Sequence, residues 1–127
     1  MRNYRDLDVW DKAHKPTLEL YRKSRSFPKE KFYGLTSQLR RSAMSVGANL
    51  AEGCGRQTTP ELARFVRISM GSASELDYHL LVCHDLGFLQ PDDYRKMFQE
   101  LTRIRKMLAS FLAKLESERQ ARAAGAS

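Results

Sequence analysis

Apolar side chains recur every three or four residues in four stretches of the chain, which is the spacing of amphipathic α-helices. The predicted helices cover residues 8–24, 34–52, 59–86 and 91–118. No stretch is typical of a β-strand, and no internal repeat is found. We therefore expect an all-α fold, an antiparallel up-and-down four-helix bundle, in a single domain over residues 1–127 with a C-terminal tail that frays from about residue 118.

Proline and glycine bear on the bounds of the first two helices. Pro16 lies inside the first helix, where it removes a backbone donor; either the helix kinks there or it begins later, and the apolar spacing on both sides favours a kink. Gly53 and Gly55 are expected to end the second helix, because glycine adopts the positive φ of many helix termini at little cost.

The third and fourth helices carry the clearest signals. Thr58 is a candidate cap, followed by proline and Glu61 in the first turn, and Gly87 is expected to end the third helix. The predicted inner face of the third helix consists of Leu62, Phe65, Ser69, Ser72, Leu76, Leu80 and Cys83. The fourth helix has an unbroken heptad pattern formed by Tyr94, Met97, Leu101, Ile104, Leu108, Phe111 and Leu115.

A row of polar side chains shares the second helix with several small residues. We call this row the polar stripe; it comprises Gln38, Arg41, Ser45, Asn49 and Glu52, and is followed by Gly53 and Arg56. A buried polar row is costly unless its groups are paired, whereas small neighbours allow another helix to approach. The stripe therefore indicates an interface between subunits or between helices, with Glu52 paired to an arginine. An ordinary solvated helix face is the alternative.

The net charge of +7 is unevenly distributed. Residues 1–33 carry a net +4 and residues 91–127 a net +3, whereas residues 34–90 are neutral. Because the first and last helices of such a bundle are neighbours, the excess charge gathers on one side and suits a polyanion. The candidate phosphate-binding residues are Lys12, Lys15, Arg22, Lys23, Arg40, Arg41, Arg103 and Lys106. A surface that serves only solubility is the alternative.

The sequence offers little for catalysis or for metal binding. One Asp-x-x-His pair ending at His14 has no second copy, and His79 with Cys83 supplies two ligands where a structural zinc site needs four. Cys54 follows a helix C-terminus, where the dipole opposes a thiolate. We expect no enzyme, no cofactor and no metal. Without a secretory signal or a long apolar run, we also expect no membrane contact, a cytoplasmic location and reduced cysteines.

Several short segments of the sequence resemble those of one known family. They are LDVWDKAH at 7–14, Phe27-Pro28, GLTSQLRRSAMSVGANLAEGCGR at 34–56, Arg64-Phe65 and GSASEL at 71–76. The chain resembles the four-helix-bundle proteins encoded within intervening sequences of bacterial 23S rRNA genes, a structural group that includes the accessory protein of diversity-generating retroelements. The resemblance implies a ring, expected to be a homopentamer, with a basic channel or face and no enzymatic activity. For the retroelement relative it implies binding to nucleic acid and to a reverse transcriptase.

Residues and resemblance together predict a non-catalytic, basic homo-oligomer that binds nucleic acid, RNA in preference to DNA, through phosphate contacts. The outer helices would hold the phosphates, and the neutral middle helices would form the subunit contacts. The alternative is a protein–protein interaction or scaffold module with no nucleic-acid ligand. Its basic charge would then serve solubility or electrostatic steering.

Overall fold

A computed structural model describes the backbone of residues 2–126 and the side chains of residues 2–28 and 34–125. Four helices follow one another along the chain. They are α1 (Asp8–Lys23), α2 (Lys29–Cys54), α3 (Thr59–Asp85) and α4 (Pro91–Ala126). Short 3-10 helices, Tyr4–Asp6 and Ser24–Ser26, flank α1, and no strand occurs in the described part of the chain. The predicted all-α class is confirmed.

The helices pack as a ring in which each one contacts its two neighbours. α1 contacts α2, α2 contacts α3, α3 contacts α4, and α4 returns to α1. Because short connections join successive helices, neighbours run antiparallel, and the molecule is a four-helix bundle. The expectation that the first and last helices are neighbours is therefore confirmed.

The core consists of the apolar faces that the sequence predicts. All seven inner residues predicted for α3 are buried, including two serines, Ser69 and Ser72. Five of the seven heptad positions of α4 are buried, and the other two, Tyr94 and Phe111, are half-buried against the core. From α1, the buried residues are Val9, Ala13 and Leu20. Each helix buries one face, as its apolar period requires.

Both ends of α3 are capped as the sequence predicts. The Thr58 hydroxyl accepts a hydrogen bond from the Glu61 amide at 3.3 Å, which pairs one of the free donors of the first turn. At the other end Gly87 has φ +81°, in the left-handed region. The amide of Phe88 donates to the carbonyl of Cys83 at 2.9 Å, which is the long hydrogen bond of a Schellman motif.

The prediction that Gly53 and Gly55 end α2 through a positive φ is wrong. Gly53 lies inside α2 and Gly55 caps it with φ −79°; among the described residues only Gly87 has a positive φ. Gly53 is needed for a different reason, the close approach of α3. A Cβ at Gly53 would lie 2.8 Å from Phe65 Cβ and 2.9 Å from Leu62 Cδ1.

The other helix bounds differ modestly from the prediction. α1 begins at Asp8 and continues through Pro16, so the alternative of a later start is wrong. α2 begins five residues before Gly34, directly after Pro28. α4 continues to Ala126, and its residues 119–125 are exposed and add nothing to the core. No helix in the described part of the chain is both long and apolar enough to cross a membrane.

Candidate nucleic-acid interface

Basic side chains gather where α1 packs beside α4. Lys12 and Lys15 of α1 line a cleft of about 190 Å³ together with Arg103 of α4. Arg103 also lines a neighbouring cleft of about 480 Å³, which includes Lys106 and Lys114. We call these five residues the α1/α4 strip. The two clefts share one arginine, so the strip is continuous across the two helices.

Most of the α1/α4 strip is not neutralised within the chain. Lys12, Arg103, Lys106 and Lys114 form no ion pair with a carboxylate of the described residues. Lys15 pairs with Asp11 one turn earlier at 3.0 Å, and its side chain is 70% exposed. Such exposed pairs are weak and screened by salt, so a phosphate can compete for Lys15.

Two carboxyl groups lie against the strip, of which Asp8 lines the larger cleft. Glu100 lines the smaller cleft, and its Oε2 is buried without a hydrogen-bond partner among the described residues. Burial raises the pKa of Glu100, while the positive charges of Lys96 and Arg103 act in the opposite direction. Glu100 therefore becomes negatively charged, and begins to offset the positive charge of the strip, only at a higher pH than an exposed glutamate does.

Lys23 and Arg22, also predicted to contact phosphate, lie away from the strip. Lys23 pairs with Asp93 at the start of α4, with Nζ and Oδ1 3.1 Å apart. Arg22 lines a separate cleft between α1 and α2. Arg22 lies seven residues after Lys15, which is two helical turns and nearly the same face of α1, so the two side chains are separated along the helix rather than around it.

The two adjacent arginines of α2 are engaged within the molecule. The Arg40 Nε donates to Ser24 Oγ at 2.8 Å, and its guanidinium lies over the Tyr21 ring at 5.0 Å from the centroid. Arg41 pairs with Glu75 of α3. Both arginines therefore join helices of one chain, and neither lines the clefts of the α1/α4 strip.

Lys114 was absent from the predicted set, although it belongs to the strip. It follows Arg103 by eleven residues, which is three helical turns and therefore the same face of α4. That spacing was visible in the sequence. Assigning Lys114 to the phosphate-binding set also required knowing that this face of α4 lies beside α1.

The polar stripe of α2 runs along the contact with α3. Arg41 Nε donates to Gln38 Oε1 at 2.9 Å within α2, and its guanidinium reaches Glu75 on α3. Further along, Ser72 Oγ of α3 donates to Ser45 Oγ at 2.9 Å. The part of the polar stripe from Gln38 to Ser45 therefore forms an interface between helices of one chain. This is one of the two interfaces, between helices or between subunits, that the sequence left open.

The end of the stripe is held within α2. Asn49 Nδ2 donates to the Ser45 carbonyl at 2.8 Å and to its hydroxyl at 2.9 Å. Glu52 pairs with Arg56 at 2.7 Å, four residues later, and both side chains are about half exposed. Glu52 thus has an arginine partner, but that partner lies in the same stretch of chain and the pair adds little stability.

A serine, a histidine and a glutamate meet between α2 and α3 without forming a usable catalytic group. Ser42 Oγ lies 2.9 Å from His79 Nδ1, and His79 Nε2 lies 3.9 Å from Glu75 Oε2. However, Ser42 is 0% exposed and its hydroxyl donates to the Leu39 carbonyl at 3.0 Å. A nucleophile must reach its substrate, so this cluster is suited to holding the two helices together.

The remaining candidates for chemistry are buried or scattered. Cys54 and Cys83 are free and buried, and burial raises the pKa of both thiols, that of Cys83 to about 11. Both therefore stay protonated near neutral pH. Within the described residues, no three His, Cys, Asp or Glu side chains lie together in a way that could hold a metal ion.

Comparison with known proteins gives a family and a fold. The model of the family described as 23S rRNA-intervening sequence protein matches residues 5–110. A crystal structure from Bacteroides thetaiotaomicron, described as a protein of unknown function from the S23 ribosomal protein family, superimposes with a TM-score of 0.76. It is 23% identical, and the match covers 83% of this chain and 95% of that one. A search of curated proteins finds no match.

Proposed function

We propose that this chain, which belongs to the 23S rRNA-intervening sequence protein family, is a non-catalytic homo-oligomeric bundle that binds nucleic acid, RNA in preference to DNA. The observation that carries the proposal is the α1/α4 strip. Its five cations occupy two adjoining clefts, and four of them have no carboxylate partner among the described residues. Phosphates are the partners that such a row lacks.

The strip supports backbone contact more than base reading. Its side chains are lysine and arginine, which bind phosphate oxygens without distinguishing sequence. Five phosphate contacts give a slope of log affinity against log salt of about −3.5 for a single strand. We therefore expect tight binding at low salt, a steep loss at higher salt and modest sequence preference.

The outer surface of α2 and α3 supports assembly. Met44, Ile68 and Tyr78 expose 51%, 40% and 65% of their surface although they are large and apolar. The segment 34–90 that contains them is electrically neutral, so copies of it meet without repulsion. Apolar side chains on a neutral surface are typical of subunit contacts. A pentamer is the state that the family resemblance implies.

The phosphate contacts are tested with a fluorescently labelled single-stranded RNA. We compare the wild-type chain with Arg103→Gln/Lys106→Gln, measuring fluorescence anisotropy across a series of salt concentrations. The double variant is expected to bind at least about tenfold more weakly at low salt, with a salt slope shallower by about 1.4. The matched control is Arg119→Gln/Arg122→Gln, which removes the same charge from exposed residues of α4 outside the strip.

Three results would count against the phosphate proposal. Equal losses in the strip variant and the control would show that only net charge matters. Binding that does not depend on salt would rule out phosphate contacts as its source. A chain that binds no RNA at all would favour the protein-interaction alternative, for which Met44, Ile68 and Tyr78 supply the exposed apolar surface. A partner such as a reverse transcriptase, which the resemblance implies, would then be the first protein to test.

The assembly surface has its own test. Ile68→Ser/Tyr78→Ser is expected to lower the light-scattering mass toward that of one subunit, because both side chains are exposed in the single chain. Leu86→Ser is the control, since Leu86 is 51% exposed at the end of α3. An unchanged mass in the double variant would show that the subunits contact each other through another surface.

A further inference from the structure

A larger cleft lies on the opposite flank of α1, against α2. Its volume is about 550 Å³, within the range of small-molecule and cofactor sites. Four aromatic side chains line it, and three of these are in ring-to-ring contact. The Trp10 ring stacks on His14 with centroids 4.6 Å apart and planes 13° apart, and Tyr4 meets Trp10 edge-on at 4.9 Å. Tyr21 lines the cleft two turns further along α1.

Small residues of α2 keep this cleft open. Gly47 and Ala48 form part of its wall, opposite the aromatic side chains of α1. A Cβ added to Gly47 would lie 3.4 Å from Trp10 Nε1, in ordinary van der Waals contact, so the indole packs directly against the backbone of α2 there. The small α2 side chains fill little of the cleft, which leaves room for a flat group beside the rings.

The charged side chains that line the cleft are both positive. Arg22 and Arg25 line it, and neither forms an ion pair with a described carboxylate. No aspartate or glutamate is among the residues that line it. A ligand that carries a flat apolar face next to a negative charge would match both the rings and the guanidinium groups.

We propose that the α1/α2 cleft takes an unpaired base of single-stranded nucleic acid, with Arg22 and Arg25 on the adjoining phosphates. This inference rests on the proposed function and adds the form of nucleic acid that the protein selects. Aromatic faces bind every base without strong sequence preference, whereas a paired and stacked base in a duplex cannot enter. The chain therefore distinguishes single strands from duplexes.

One stripe of α1 joins this cleft to the α1/α4 strip. Lys15, Leu18 and Arg22 follow one another at spacings of three and four, so they share a face of the helix. Lys15 lines the strip side, and Leu18 and Arg22 line the cleft. A strand whose phosphates follow the α1/α4 strip can thus cross α1 and place one base in the cleft.

A second protein chain is a poorer occupant. It would have to bury Arg22 and Arg25 and supply a carboxylate for each, because an unpaired buried charge is costly. Another copy of this chain brings a net charge of +7 of its own. A nucleotide supplies the flat face and the negative charge in one group.

The single tryptophan of the chain makes the test direct, because Trp10 lies in the cleft and all tryptophan fluorescence comes from it. Three labelled ligands are titrated into the full chain: a short oligoadenylate, an RNA duplex of the same length, and inorganic polyphosphate of matching charge. Anisotropy reports binding anywhere on the protein, and Trp10 emission reports the cleft. We expect oligoadenylate to quench Trp10 at saturation at least about twofold more than either other ligand, as stacking requires.

The matched variants are Arg22→Gln/Arg25→Gln and Arg119→Gln/Arg122→Gln. The first pair is expected to weaken oligoadenylate binding about tenfold and duplex binding less than about threefold, and the second pair to change both equally. Thermal denaturation checks that these exposed substitutions leave the fold intact.

The outcomes separate this inference from the proposed function. Oligoadenylate that binds by anisotropy without quenching Trp10 overturns the base site and leaves the phosphate strip standing. If polyphosphate quenches Trp10 as strongly as oligoadenylate does, the cleft binds anions without binding a base, and the inference is overturned. A drop in light-scattering mass for Arg22→Gln/Arg25→Gln would make the cleft a subunit contact. Failure of all three ligands to bind overturns both proposals.

Discussion

Gly53 is the position where the packing of the bundle is most sharply testable. It lies inside α2 with a backbone that any residue can adopt, since its φ is not positive. On propensity alone, Gly53→Ala would stabilise the helix by roughly 0.5–1 kcal/mol. The structure predicts the opposite sign, because the new methyl group would lie 2.8 Å from Phe65 Cβ.

The size of the effect follows from what can move. Leu62 Cδ1, at 2.9 Å from the added Cβ, is the end of a flexible side chain and can rotate away. Phe65 Cβ is fixed to the backbone of α3, so relief there requires the two helices to separate. Overpacking of this kind costs about 1–3 kcal/mol, and a Cβ–Cβ distance of 2.8 Å belongs to the upper half of that range. After the propensity gain is subtracted, the net loss in the free energy of unfolding is about 1–2 kcal/mol. For a chain of this length that lowers Tm by roughly 4–8 °C.

The assay is thermal unfolding followed by circular dichroism, with Gly71→Ala as the matched control. Gly71 also lies inside a helix, but a Cβ there would meet no described atom within 4 Å. The control is therefore expected to raise Tm by a few degrees, roughly the gain in helix propensity. If Gly53→Ala raised Tm as much as Gly71→Ala does, the close approach of α2 and α3 would be refuted.

Three further predictions concern titratable groups. Burial lowers the pKa of His79 below its usual 6.5, so the unfolded chain takes up the proton at a higher pH than the folded chain does. Stability therefore falls as the pH drops below about 6.5, and His79→Gln should flatten the profile of Tm against pH in that range. Burial raises the pKa of Glu100, so its ionised form costs stability at neutral pH; Glu100→Gln should raise Tm there, with a difference that disappears in acid, and a constant difference would contradict this. Buried Cys54 and Cys83 should react with a thiol reagent only as fast as the fold opens, and rapid labelling of the native protein would be inconsistent with their burial.

The fold was largely predictable because each helix buries a single face. The heptad pattern of α4 and the inner face of α3 identify buried positions by their spacing alone, and the capping residues Thr58 and Gly87 fix the ends of α3. Local chemistry was sufficient at those places, because the residues that decide the structure are adjacent in the sequence.

Gly53 shows where local chemistry was not sufficient. A glycine serves either for a positive φ or for the lack of a Cβ, and the sequence does not distinguish these uses. The answer came from Leu62 and Phe65 on α3, which is a contact between helices. The earlier start of α2 has a simpler origin, since the helix begins directly after Pro28, five residues before the predicted start at residue 34.

The candidate site was only partly predictable. Charge segregation pointed to the face where Lys12, Lys15, Arg103 and Lys106 line adjoining clefts. It could not show that Arg40 is held by Tyr21 and Ser24, because these partners belong to another part of the chain.

The spacing of Trp10 and Tyr21 along α1 did not by itself predict the α1/α2 cleft. Only the packing of small α2 residues such as Gly47 shows that their rings border open space. The signal available in the sequence was the coincidence of two patterns. Aromatic side chains recur along α1, and glycine and alanine recur along α2, so that each set can lie on one face of its helix.

The most direct test of the account is the light-scattering mass of the purified chain, measured alone and with a structured RNA, at low and at high salt. The account predicts a multi-subunit mass at both salt concentrations, near five times 14.6 kDa for a pentamer, which gains the mass of RNA only at low salt. A particle of one subunit whose mass does not change when RNA is added would contradict both the assembly and the phosphate-binding strip.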